Sequence, residues 1–134
     1  MIVNDLMVQA EVEAEVAAYE QALVNNDVAA LDNFFAQTEY AIRYGATENL
    51  YGYEAIKAFR ASRSPAGLAR TLEQTRVATY GRDLAVAATL FRRDNAPGKI
   101  GRQMQTWVRF PEGWRIVAAH VSVIDEPEGR PAPG

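Results

Sequence analysis

Residues 84–124 read LAVAATLFRRDNAPGKIGRQMQTWVRFPEGWRIVAAHVSVI, and the punctuation of this stretch decides the fold. Asn95–Ala96–Pro97–Gly98 and Pro111–Glu112–Gly113 are turn sequences. Proline presets one turn dihedral, and glycine tolerates the positive φ that tight turns require. Between the turns lie three stretches rich in Val, Ile, Thr and aromatic residues: Leu84–Arg93, Ile100–Phe110 and Trp114–Ile124. Such side chains suit a pleated, half-buried surface. Upstream, Ala69–Tyr80 has the same character and ends in the turn Gly81–Arg82–Asp83. The predicted unit is a meander of four long antiparallel strands.

The first half has a different period. Val8, Val12, Val16, Tyr19 and Leu23 recur at helical spacing, with Glu11, Glu13, Glu15 and Glu20 mostly off that stripe. Asn25–Asn26–Asp27 breaks this helix and caps a second, short one, VAALDNFFA, with Leu31, Phe34 and Phe35 turned inward. Thr38–Tyr44 alternates like a strand, and the loop ATENLYG follows it. Tyr53–Arg63 is a third helix, stopped by Ser64–Pro65–Ala66–Gly67. Three helices before a meander define an α+β fold. A strongly twisted sheet curling round the first helix encloses a cone with an open end, where pockets form. The expected organisation is one domain over residues 1–124 and a flexible, Pro/Gly-rich tail over residues 125–134.

Composition narrows the chemistry. There are no cysteines, which excludes thiolate catalysis and Cys-ligated metals. A single histidine makes a His-based metal site unexpected, so no metal and no cofactor is assigned. A net charge of −3 argues against nucleic-acid binding, which needs a basic face. No apolar run approaches the roughly 18 residues of a membrane span. The acidic start MIVNDLMVQAEVEAEV does not read as a secretory signal, and the cytoplasm is the default compartment. Arginine far outnumbers lysine, which occurs only at Lys57 and Lys99. That bias reflects either genome composition or a pocket for carboxylates, which guanidinium binds bidentately.

The element order, with YGYEAIKAF opening the third helix and GWRIVAAHVSV closing the meander, resembles the nuclear-transport-factor-2-like (SnoaL-like) superfamily. Its cystatin-like cone carries many functions. A tighter resemblance runs through RYGATENLYGYEAIKAFRASR, GRQMQTWVRF and WRIVAAHVSV, from about Asn4 to Ile124. These motifs look like the AtzH-like, or HpxZ-like, family, whose members are small proteins encoded near amidases of nitrogen-compound catabolism. The resemblance implies cofactor-free, amidase-like action on a carboxylated urea, such as conversion of 1,3-dicarboxyurea to allophanate. It also implies that a first-helix tyrosine and the arginine of the RYG motif are catalytic, and these match Tyr19 and Arg43. Met104 departs from the small polar residue expected there.

Each candidate also has a plainer reading. Tyr19 lies on the apolar stripe and fits a core tyrosine; in a pocket its phenol can donate to an oxygen gaining charge. Arg43 fits an ion pair with Glu39 or Glu48; in a cavity it clamps a carboxylate. Asn49 and Tyr51 offer urea-binding groups or ordinary turn chemistry. Arg60 and Arg63 share a helix face that reads either as a solvated helix end or as part of a pocket wall; the first reading is taken for Arg63, and Arg60 is expected nearer the pocket. Gln105 and Trp107 share one strand face with Gln103 and Arg109. His120 and Ser122 share a face of the last strand with Ala118 and Ile116. These seven residues, Asn49, Tyr51, Arg60, Gln105, Trp107, His120 and Ser122, are the expected substrate-binding set. Two functions remain open. One is an amidohydrolase acting on a small anion. The other is a non-catalytic binding or dimeric accessory module that works with an amidase encoded nearby. A homodimer is the expected assembly in both.

Overall fold

The computed structural model describes residues 1–127. Helix α1 (Leu6–Val24) starts where the Asp5 carboxylate accepts the N–H groups of Met7 and Val8, satisfying donors that have no partner within the helix. Val8, Val12, Tyr19 and Leu23 are buried, as their spacing predicts. Asp27 caps α2 (Val28–Phe34) by accepting the N–H of Ala30. Leu31 and Phe35 then plug the core. Helix α3 spans Tyr53–Ser62. Among the described residues, no helix is long and apolar enough to cross a membrane.

The strands are β1 (Ile42–Tyr44), β2 (Asn49–Tyr51), β3 (Thr71–Tyr80), β4 (Leu84–Arg92), β5 (Lys99–Phe110) and β6 (Gly113–Asp125). They form one α+β sheet in the order β2-β1-β6-β5-β4-β3. The meander is present as read. The first strand differs in length and direction. Thr38 Oγ1 accepts the N–H of Tyr40, and the Thr38 carbonyl accepts from Ala41 and Tyr53, so residues 38–41 make a turn. Only Ile42–Tyr44 remain extended, and the expected loop holds β2, which pairs back on β1. β1 runs parallel to β6, so the sheet is mixed and not wholly antiparallel. The reason lies just upstream. Phe35 bridges Ile116 in parallel and the Ala36 N–H donates to the Ile116 carbonyl, laying the chain alongside β6 before it reaches β1.

A bulge in β6 re-aims the last strand. Trp107 pairs with Ile116, but Thr106 pairs with Ala118, leaving Val117 as an extra residue. Trp114 and Ile116 therefore face the core before the bulge, and Ala119 faces it afterwards. Ala118 and His120 turn to the outer face, so His120 and Ser122 do not share the side of Ile116 expected from simple alternation. β6 extends to Asp125, and the Glu126 N–H donates to the Gly98 carbonyl. The rest of the expected tail, residues 128–134, lies outside the described residues.

The inner face of the sheet carries Ala85, Ala87, Trp107 and Ala119 against α1, with Ile116 and Phe35 completing the core. One close approach shapes the wall behind the site. Phe91 lies opposite Gly101, and a Cβ on Gly101 would come within 2.0 Å of the Phe91 ring. The ring covers the glycine of the neighbouring strand. Gly101→Val should expel it and cost about 2 kcal/mol through overpacking. A urea-denaturation midpoint matching the wild type would show that the ring has somewhere else to go.

Candidate functional site

The site is built from α1 outward. Tyr19 is four residues before Leu23 on the buried stripe, so helical geometry carries its ring into the cone. There it meets Phe34 edge-on, with centroids 5.7 Å apart, and Phe34 meets Trp107 the same way at 6.0 Å. Trp107 Nε1 donates to Gln105 Oε1 at 3.1 Å. Gln103, Gln105 and Trp107 all lie on the inner face of β5, which settles which side of that strand looks inward. Met104 lies on the opposite, outer face, so its departure from the family pattern does not touch the cone.

Several arginines are also drawn inward. Arg43 and its partner Leu50 are the inward-facing pair of the β1–β2 hairpin. Arg43 Nη1 donates to Glu48 Oε1 at 2.7 Å, and its guanidinium lies over the Phe59 ring. It does not point to bulk solvent: its side chain is 12% exposed. Gly45 permits this pairing, because a Cβ there would collide with the Glu48 carboxylate. Burial disfavours ionised Glu48, but hydrogen bonds from Thr47 and Arg43, with the charge of Arg43, hold it below its ordinary value of 4.5. That contribution to stability is present above the ordinary value and is lost as pH falls through the lower folded one.

Three further arginines have defined seats. Arg60 is buried, donates to Asp32 Oδ1 at 2.7 Å and lies over Phe35. Arg70 grips Glu20 through Nε and Nη2, donates to Gln103 Oε1, and lies over Phe91. Arg93, one residue past β4 and in phase with Phe91, also lies over that ring, 4.8 Å from its centroid.

Arg63 ends α3 and is half-buried, not solvated. Burial lowers its pKa from the ordinary value. Tyr19 opposes that shift, and the charges of Arg43, Arg60 and Arg93 reinforce it. Arg63 is therefore within electrostatic reach of both Tyr19 and Arg43. It is the residue that sequence reasoning set aside. Its spacing of three from Arg60, which puts the two on one helix face, was the available signal.

The remaining candidates fall elsewhere. Asn49 pairs with Tyr44 on the outer side of the hairpin and is exposed. Tyr51 is exposed, with its hydroxyl 2.9 Å from that of Tyr44. Tyr44 also meets His120 edge-on. Ser122 accepts from Arg102 Nε and does not orient His120. So Tyr19, Arg43, Arg60, Gln105 and Trp107 all face inward and are largely withdrawn from solvent, whereas Asn49, Tyr51, His120 and Ser122 lie on the outer side of the sheet. Among the described residues, no group of three or more His, Cys, Asp or Glu side chains could hold a metal ion.

The comparisons bear on the fold and the family. A crystal structure of a protein of unknown function from Pectobacterium atrosepticum is 58% identical, with a TM-score of 0.90 over 92% of this chain and 95% of that one. A cystatin-like fold protein from Burkholderia xenovorans is 46% identical, with a TM-score of 0.91 over 95% and 99%. An NTF2-like protein of unknown function from Pseudomonas putida is 19% identical, with a TM-score of 0.76 over 96% and 95%, and speaks for the fold alone. No curated protein matches. The family model described as AtzH-like matches residues 1–127, and the chain belongs to that family.

Proposed function

We propose that the protein is a small cytoplasmic amidohydrolase of nitrogen-compound catabolism, acting on a carboxylated urea such as 1,3-dicarboxyurea. The observation that supports this reading is the withdrawal of both candidate groups from solvent: the Tyr19 ring is buried and the Arg43 side chain is 12% exposed, facing inward from β1. Arg43 binds a terminal carboxylate and fixes the substrate. The Tyr19 hydroxyl donates to the oxygen that gains charge as water adds to the attacked carbon. The carbon–nitrogen bond then breaks, the urea nitrogen takes up a proton, and the lost carbon leaves as bicarbonate. Allophanate is the other product.

An outer face rich in apolar groups supports assembly as a homodimer. Ile42, Tyr44 and Met104 are exposed there, beside Thr106, Ala118 and His120. An accessory module serving an amidase would use the same face. The test takes purified protein free of any amidase, sized by light scattering and supplied with 1,3-dicarboxyurea. Allophanate formation and a dimer mass are expected. Substrate binding with no product would sink the catalytic reading and leave the accessory module; a monomer mass would sink the dimer.

A further inference from the structure

Charge inside the cone does not balance. Three carboxylates are each engaged by an arginine: Glu48 by Arg43, Asp32 by Arg60 and Glu20 by Arg70. Arg63 and Arg93 have no carboxylate partner among the described residues. The same two arginines carry buried donors without a hydrogen-bond partner: Nε and Nη2 of Arg63, and Nε of Arg93. Buried guanidinium N–H groups are ordinarily satisfied, and a half-buried guanidinium held without a counter-ion is destabilising.

Arg93 shares a ring platform with a fully engaged arginine. Arg70 and Arg93 both lie over the Phe91 ring. A guanidinium over a ring gains a cation–π contact without using its N–H donors. The edge of Arg70 is filled by Glu20 and Gln103. Arg93 has the same platform and no such filling. Arg63 faces it electrostatically from the end of α3. Glu20, already gripped by Arg70, relieves part of the charge of Arg93. Two guanidinium groups thus keep open donors, Nε and Nη2 on Arg63 and Nε on Arg93, that a carboxylate would satisfy.

We propose that Arg63 and Arg93 form a second anion clamp, separate from Arg43, that makes the cone selective for small molecules carrying two carboxylates over those carrying one. This inference rests on the reading of the cone as an anion site, but not on turnover. Two fixed clamps reward a ligand that reaches both and give little to one that reaches either alone. Arg63 and Arg93 are specificity-determining residues in this account.

The test uses malonate and acetate as unreactive probes at matched ionic strength, read by thermal melts and calorimetric titration. Wild-type protein should bind malonate about ten- to a hundredfold more tightly than acetate, the worth of one further charged hydrogen-bonding contact. Arg63→Gln and Arg93→Gln should each lose most of that preference with acetate affinity unchanged. Without ligand, both variants should melt no lower than wild type, because each sheds an unpaired buried charge. Equal affinity for the two probes in wild type, unchanged preference in both variants, or free variants that melt lower or fail to fold would each overturn the clamp. Malonate preference without urea turnover would remove the catalytic reading and keep the clamp. Turnover without malonate preference would do the reverse.

Discussion

Tyr19→Phe is expected to lower kcat on 1,3-dicarboxyurea by about 10²–10³-fold, the usual loss for one donor to a developing oxyanion. KM should stay nearly unchanged, because the hydroxyl acts on charge that appears only in the transition state. The substitution is a clean one. The ring that meets Phe34 edge-on is retained, so α1 and the core should keep their packing. Arg43→Ala should lose at least as much, by a different route. It removes the clamp and leaves the Glu48 carboxylate, held only by Thr47, facing an anionic substrate. Its KM should rise together with the fall in kcat. Wild-type rates in both variants would remove Tyr19 and Arg43 from the chemistry.

The second large effect is on stability. Arg60 is 4% exposed and Asp32 is 13% exposed, joined by a 2.7 Å hydrogen bond between α3 and α2. Asp32→Ala leaves a guanidinium buried without its counter-ion, and such losses run to about 3–5 kcal/mol. The double replacement Asp32→Leu with Arg60→Met removes both charges at similar volume and should recover most of that. Denaturant unfolding of the single and double variants measures the difference. A single-variant cost below about 1 kcal/mol would mean that water or the Phe35 ring already carries the charge of Arg60.

How much of this was legible in the chain depends on how local the cause is. The stripe Val8, Val12, Tyr19, Leu23 and the turns at Asn95–Gly98 and Pro111–Gly113 act through neighbouring residues, and the helix and meander follow from them. The inward placement of Arg43, Gln105 and Trp107 follows from strand parity once one residue is fixed. His120 and Ser122 were beyond that logic, because an extra residue at Val117 reverses the parity and nothing in VAAHVS announces it. The parallel seat of β1 depends on Phe35 meeting Ile116, a contact across the whole fold. Arg63 reads as a helix-end charge, a commonly solvated position, and Arg93 carries no signal beyond closing a strand. Their partial burial arises from tertiary packing at the ends of α3 and β4, which no local pattern announces.

The chain of rings from Tyr19 through Phe34 to Trp107 has an optical consequence. Trp107 is fully enclosed and sits two edge-on contacts from the candidate hydroxyl, with Gln105 fixing its indole nitrogen. Its emission belongs at the short-wavelength end of the indole range. Any molecule that tilts Tyr19 must shift Phe34, and so the field around that indole. A ligand bound beside Tyr19 is therefore expected to change the emission of Trp107, read together with that of Trp114, with no label and no product assay.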